Sequence, residues 1–228
     1  MKQFLILLFA ALCGTVGYTQ DYRIEAITVA DGLSQGFILS SFEDSRGFVW
    51  IGTFNGLNRY DGYQIKRFTP NHRSPWSLRA NFIYCIAEDA QGLLWLGTDK
   101  GLVVMDIYTE RFIHLLEIDP TFPASEVLHI RMQEDGQIWL SYQQMPESGV
   151  YIVRPPADLL HLIRQDALQG HAFQVRSVHL PDDVEAPLRW LETGYVGEVA
   201  AVDQRGQFYR LHAATLQVQI ADPRSLVY

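Results

Sequence analysis

The chain repeats itself, and that repeat limits its fold more than any other feature. The block Phe42-Glu43-Asp44-Ser45-Arg46-Gly47-Phe48-Val49-Trp50-Ile51-Gly52-Thr53 returns as Ala87-Glu88-Asp89-Ala90-Gln91-Gly92-Leu93-Leu94-Trp95-Leu96-Gly97-Thr98. Asp44 and Asp89, Gly47 and Gly92, Trp50 and Trp95, and Gly52 and Gly97 are therefore each 45 residues apart. A third copy, Gln133-Glu134-Asp135-Gly136-Gln137-Ile138-Trp139-Leu140-Ser141, places its tryptophan 44 residues after Trp95. Matched on Asp135 and Gly136, its turn reads as shortened. A period of about 40 to 50 residues specifies blades or a solenoid.

Within each period the apolar residues form short runs separated by turn signals. Phe37 to Phe42 and Phe82 to Ala87 precede the Asp-x-x-Gly turn, and Val49-Trp50-Ile51 follows it. Asn55-Gly56 and Lys100-Gly101 then lead to Leu57 to Tyr60 and Leu102 to Met105, and a last hairpin returns through Gln64 to Phe68 and Arg111 to Leu115. Helix-length amphipathic windows are absent from the first two repeats, which excludes a helical solenoid. The expected fold is all-β, with β-propeller blades of four antiparallel strands. Blades are expected at about 37–69, 82–116, 127–165 and, in degenerate form, 171–221.

In the fourth blade, Gly206 to Leu211 and Leu216 to Ile220 read as third and fourth strands. A second register is open, with Arg205-Gly206-Gln207-Phe208-Tyr209 taking the place of the Asp-x-x-Gly-x-x-Trp turn. An insertion containing Pro155-Pro156 and a short helix from Leu159 to Leu168 stands between the third and fourth copies. Residues 222–228 read as the start of another blade, so the 228-residue chain is expected to be an incomplete, open propeller of about four blades. An N-terminal strand, Tyr22 to Val29, lacks the last-blade partner that would close a ring.

Residues 1–19 read as a signal peptide, with Lys2 before the apolar run Phe4 to Leu12 and a small-residue stretch up to Gly17, leaving 20–228 as the propeller. Nine apolar residues are too few to span a bilayer, and no later stretch is longer. The net charge is −8, which gives no broad positive field for nucleic acid. Cys13 leaves with the signal, so Cys85 stands alone and reads as a small buried strand residue.

The candidate chemistry is recognition. Trp50, Trp95 and Trp139 recur at one strand position, as packing residues do. Asp44, Asp89 and Asp135 recur in equivalent turns, together with Gly47, Gly92 and Gly136, and give no asymmetric carboxylate pair for hydrolysis. The seven histidines lack ligand spacing, and no nucleophile elbow, phosphate loop or dinucleotide fingerprint is present, so no catalytic residue, metal or cofactor is assigned. The turn-rich segment 69–81 carries His72, Arg73, Trp76 and Arg79, an aromatic face beside cationic donors that suits a sugar or an acidic oligosaccharide. Packing of Trp76 under its own loop is the structural alternative. Asn55 and Lys100, at short turns, are further candidates.

The string Asp31-Gly32-Leu33-Ser34-Gln35 followed by Trp50-Ile51-Gly52-Thr53-Phe54-Asn55-Gly56-Leu57-Asn58-Arg59-Tyr60-Asp61-Gly62 closely resembles the two-component regulator propeller repeats. The resemblance is strong over about 22–142. It implies a periplasmic sensor of a hybrid two-component regulator that responds to carbohydrate-derived ligands, forms a homodimer through its complete periplasmic region, and signals to a histidine kinase absent from these residues. The alternatives are a stand-alone interaction propeller and, further off, a propeller lyase or hydrolase.

Overall fold

A computed structural model describes residues 25–71, 74–143, 149–168, 173–181, 188–193 and 198–221. It contains four four-stranded antiparallel sheets. The first holds β1 (Ile38–Glu43), β2 (Val49–Thr53), β3 (Gly56–Tyr60) and β4 (Ile65–Phe68), and the second β5 (Ile83–Glu88), β6 (Leu93–Thr98), β7 (Gly101–Asp106) and β8 (Arg111–His114). The third holds β9 (Val127–Met132), β10 (Ile138–Tyr142), β11 (Val150–Arg154) and β12 (Gln174–Val178), and the fourth β13 (Trp190–Thr193), β14 (Glu198–Val202), β15 (Phe208–His212) and β16 (Val218–Ile220). In each sheet the strands pair in chain order. β1, β5, β9 and β13 neighbour one another in turn. The result is an open, propeller-like array, as the repeat predicts.

The tryptophans pack between blades. Trp50 shares a core with Leu94, Leu96 and Val103 of the second sheet. Trp95 does so with Ile130, Ile138 and Leu140 of the third, and Trp139 with Leu191, Val199 and Ala201 of the fourth. All three are fully buried. Burying a large side chain of this kind contributes roughly 1.5–3 kcal/mol, so the interblade layers hold the array together.

At Gly52 and Gly97 the backbone of the next blade comes close. A Cβ on Gly52 would lie 2.5 Å from the Ile83 carbonyl oxygen, and one on Gly97 2.6 Å from that of Val127. Across the first ladder of each blade, Ser40 pairs with Gly52, Cys85 with Gly97 and His129 with Ser141. Ser40 Oγ donates to the Ile83 carbonyl at 3.0 Å, and Cys85 Sγ stands 3.9 Å from that of Val127. Burial in this interface pushes the Cys85 thiol up to about 12. In the third blade, the Ser141 hydroxyl lies 3.3 Å from His129 Nδ1.

The Asp-x-x-Gly turn is a hydrogen-bonded unit. The Asp44 amide donates to the Phe48 carbonyl and that of Gly47 to the Asp44 carbonyl, both at 2.9 Å. The carboxylate accepts from the Arg46 and Phe48 amides, Arg46 Nη2 and Trp50 Nε1. Burial works to raise the Asp44 carboxyl, but these donors outweigh it and hold the group below its ordinary range. Asp89 makes the same bonds to the Gln91 and Leu93 amides and to Trp95 Nε1. Gly47 and Gly92 adopt positive φ, at 85° and 76°, which closes the turn without Cβ strain.

Two expectations change in the later blades. In the third, Gln133 rather than Asp135 takes the place of Asp44, because the Gln133 amide donates to the Gln137 carbonyl and that of Gly136 to the Gln133 carbonyl. The turn is therefore of full length. Asp135 falls at the Arg46 position and accepts from Gln137 and Arg154, while Trp139 Nε1 has no hydrogen-bond partner among the described residues. The expected boundary between third and fourth blades also moves. Gln174–Val178 pairs with β11 and completes the third sheet, so that sheet ends at Val178, and the fourth begins at Trp190.

Phe208–His212 and Val218–Ile220 are the third and fourth strands of the last sheet, as expected. The Asp203 turn before β15 nonetheless has the bonding of the Asp44 turn, with Tyr209 Oη donating to Asp203 Oδ2 at 3.1 Å in place of the indole. The motif has moved from the β1–β2 position to the β14–β15 position. Ala200 stands where the tryptophans do, since the pair Glu192 and Ala200 matches Phe42 and Trp50.

Short helices α1 (Leu115–Ile118) and α2 (Leu159–Arg164) lie in connections. α2 is shorter than the sequence suggests and stops before Asp166, which has φ of 54°. It is tied to the second blade: Arg164 Nε and Nη2 donate to Asp106 at 2.8 and 3.1 Å, and the Leu160 amide donates to Gln91 Oε1. The expected N-terminal strand falls partly outside the described residues. Within them Val29–Asp31 is a 3₁₀ turn, capped by Thr28. The expected signal segment and residues 222–228 lie outside the described residues.

Candidate functional site

The loop after β4 crosses to β5 and covers a groove of about 540 Å³ between the outer strands β4 and β8. Lys66 and Arg67 line it from β4, Asn71, Ser74 and Trp76 from the loop, and Arg111 from β8. The loop is held by a backbone bond from the Phe112 amide to the Trp76 carbonyl at 2.9 Å and by His114 Nε2, 3.1 Å from the Ser77 carbonyl. Trp76 is half-buried against the core of the second and third blades. The Arg111 guanidinium lies 4.9 Å from its ring centroid. One ring face is thus already covered by a cation supplied from β8.

The cations of the groove differ in availability. Lys66 Nζ lies 2.5 Å from Glu110 Oε1, and Arg111 Nη1 2.6 Å from Asp166. The Arg67 side chain is exposed and makes no hydrogen bond or ion pair among the described residues. In the strand ladders Lys66 pairs with Arg59 and Arg111 with Asp106, so Arg111 falls at the repeat position of Gln64, two residues before that of Lys66. They therefore share no repeat position that would have signalled them, and they join Trp76 only where the two blades pack together.

The other candidates are divided between places. Arg79 and Lys100 line a smaller cavity of about 290 Å³ with His114, Leu116 and Glu117, and Arg79 is ion-paired to Glu117. Asn55 lies on the Thr53–Gly56 turn, its Nδ2 3.5 Å from the Ser34 carbonyl, and lines neither cavity. His72 and Arg73 lie outside the described residues. Sequence reasoning also missed an aromatic ladder on the first two blades: Phe37 stacks on Phe54 at 4.5 Å, and Phe54 meets Phe82 at 4.8 Å. Among the described residues, no group of three or more His, Cys, Asp or Glu side chains could hold a metal ion, and no helix is long and apolar enough to cross a membrane.

Residues 32–55 and 77–100 match the two component regulator propeller family. The chain is related to those propellers. A 76-residue stretch is 34% identical to histidine kinase P4 of Formosa agariphila, covering 33% of this chain and 6% of that protein. The fold is similar to two structures from B. thetaiotaomicron, the extracellular domains of a putative one component system and of a putative hybrid two component system. The first has a TM-score of 0.64 at 20% identity, over 92% of this chain and 28% of that one. The second has 0.63 at 22%, over 89% and 27%. PorZ, a surface component of the type-IX secretion system of Porphyromonas gingivalis, has 0.59 at 16%, over 82% and 27%. The chain thus spans less than a third of these relatives. Its matched segments are propeller repeats, not a kinase catalytic domain.

Proposed function

We propose that the chain is a ligand-sensing propeller segment of a hybrid two-component regulatory system, exposed in the periplasm, and that its ligand is a carbohydrate-derived molecule carrying acidic groups. The groove between β4 and β8 carries this reading. Its volume of about 540 Å³ suits a small ligand, and it sets an indole beside an exposed guanidinium, Arg67, and the paired cations Lys66 and Arg111. A sugar ring presents C–H faces to an aromatic wall, and its carboxylates find charge-assisted donors. The repeat family and the apolar N-terminal run after Lys2 support export and sensing. The output is a histidine kinase outside these residues, and the complete sensor acts as a dimer. A ligand moves such a sensor only by binding one arrangement better than the other.

Isothermal calorimetry against neutral and uronic-acid oligosaccharides tests the site. Binding of the acidic sugars that falls at least tenfold in Arg67→Glu and Trp76→Ala supports it. Silence across the panel, or binding unaffected by both substitutions, overturns it.

A further inference from the structure

The groove between β4 and β8 carries its own counter-ions. Among the described residues its lining holds three cations, Lys66, Arg67 and Arg111, and two of them are already paired. Glu110 also lines the groove and grips Lys66 with both carboxylate oxygens, which accept from Nζ at 2.5 and 2.6 Å. Its Oε1 lies a further 3.7 Å from Arg59 Nη1. Asp166, just past α2, accepts from Arg111 Nη1 at 2.6 Å. The Arg67 side chain alone of the three makes no ion pair among the described residues.

The backbone calls for neither acid at its place. Glu110 ends the four-residue turn from Asp106 to Arg111 at a φ of 56°, and Leu216 ends the like turn from His212 to Gln217 at 54°. That turn therefore accepts an apolar residue where Glu110 stands. Asp166 takes the position after a helix that glycine or asparagine usually fills, at a φ of 54°, with the Ala167 amide closing back on the Leu162 carbonyl. Left-handed backbone is unfavourable for a residue with a Cβ. Among the described residues, two of the three non-glycine residues at positive φ are thus the acids that neutralise groove cations. Both pairs are partly exposed, so neither contributes much to stability. What each acid adds is the removal of one positive charge from the groove.

We propose that Glu110 and Asp166 determine the charge of the ligand, so that the groove takes a sugar with a single acid group and disfavours one with a second. The inference rests on the reading of the groove as a site for an acidic carbohydrate. A lone carboxylate reaches the guanidinium donors of Arg67 without disturbing either resident pair. A second carboxylate near Lys66 must enter beside the like charge of Glu110 or expel it. Expulsion exchanges one ion pair for another and leaves Glu110 with only the longer Arg59 contact. Arg111 is likewise occupied, between Asp166 and the Trp76 ring. A hydroxyl meets no such obstacle, because it donates to the Glu110 carboxylate. The resident acid therefore favours an uncharged sugar as neighbour to the charged one.

Calorimetry of the full chain with digalacturonic acid, its monomethyl esters and its dimethyl ester varies the charge on one sugar skeleton. The wild type should bind a monoester at least as tightly as the diacid, and the diester about tenfold or more weakly. Glu110→Gln, which frees Lys66 and keeps the side-chain shape, should reverse this to a preference of about fivefold or more for the diacid, and Asp166→Asn should move the ratio the same way. Glu110→Leu, which copies Leu216, should melt within about 3 °C of the wild type. A wild type that prefers the diacid, a ratio that Glu110→Gln leaves unchanged, or a larger loss of melting temperature in Glu110→Leu overturns the inference and leaves the groove as a sugar site. Equal binding of all three forms, abolished by Trp76→Ala, has the same meaning. Silence of all three with the wild type and both variants overturns the groove reading and this inference together.

Discussion

Trp50 Nε1 donates to Asp44 Oδ2 at 2.9 Å, six residues back across the turn, so one carboxylate both closes the turn and satisfies the indole buried between blades. Trp139 lacks that acceptor because Gln133 stands in the aspartate's place and sends its amide to the Glu198 carbonyl at 2.8 Å. Among the described residues, the same tryptophan position is thus satisfied twice and left without a partner once.

This difference predicts a ranking. Asp44→Ala removes the acceptor of a buried N–H, of two turn amides and of the Arg46 guanidinium, and should cost about 3–5 kcal/mol. Gln133→Ala removes one interblade bond and leaves Trp139 as it was, for about 1 kcal/mol. Urea unfolding followed by tryptophan fluorescence reads both; equal losses would contradict the role given to the carboxylate.

Gly97 predicts a second effect. Its Cβ would meet the Val127 backbone oxygen, which cannot rotate away, so Gly97→Ala should destabilise by about 1–3 kcal/mol or more. Cys85→Ala should fail to rescue it, since the thiol is not the obstacle that matters. Thermal melts of the single and double variants separate backbone from side-chain crowding, and full rescue would refute the argument.

Much of this was legible from the repeat alone. The 45-residue period, the Asp-x-x-Gly turns and the tryptophan spacing give the strand order and the interblade packing, because these depend on local turn chemistry and on one large side chain per blade. The fourth strand of the third blade was not legible: α2 and its flanks separate β12 from β11 by 19 residues, counted from Arg154 to Gln174, so proximity in sequence assigned it to the next blade. The Gln133 substitution misled in another way. Asp135-Gly136 looks like a turn pair, but the hydrogen bonds fix Gln133 as the first turn residue. In the candidate site, Trp76 was visible as an aromatic in a turn-rich loop, whereas Arg67 and Arg111 come from strands that meet only through the packing of two blades.

His129 predicts a pH dependence. Burial, reinforced by the nearby Arg131 charge, lowers its pKa to about 4 from 6.5. Below the unfolded value the unfolded chain takes up a proton that the folded one refuses, so stability falls as pH drops from about 6.5 towards 4, by up to about 1.4 kcal/mol per unit. His129→Gln should flatten that slope while keeping a polar partner for Ser141. Chemical denaturation at intervals between pH 7 and 4 decides it; identical slopes would remove His129 from the account.

Arg164 predicts how firmly the insertion clamps the second and third blades. Burial works to raise the Asp106 carboxyl, but Arg164, the Thr109 hydroxyl and the Tyr108 amide hold it below its ordinary range. Because the carboxylate is buried and the arginine 40% exposed, solvent screens part of the pair, and Arg164→Ala should cost about 1–2 kcal/mol, more than a surface pair would. The contribution is present above the unfolded carboxylate pKa and is lost as pH falls through the lowered folded value, so the gap between wild type and Arg164→Ala should close in acid. Arg164→Lys, which keeps the charge without the two-pronged bond, should fall between them. Amide exchange should quicken first in α2 and the β7–β8 turn; a uniform change across all four sheets would mean that the pair does not clamp these two blades.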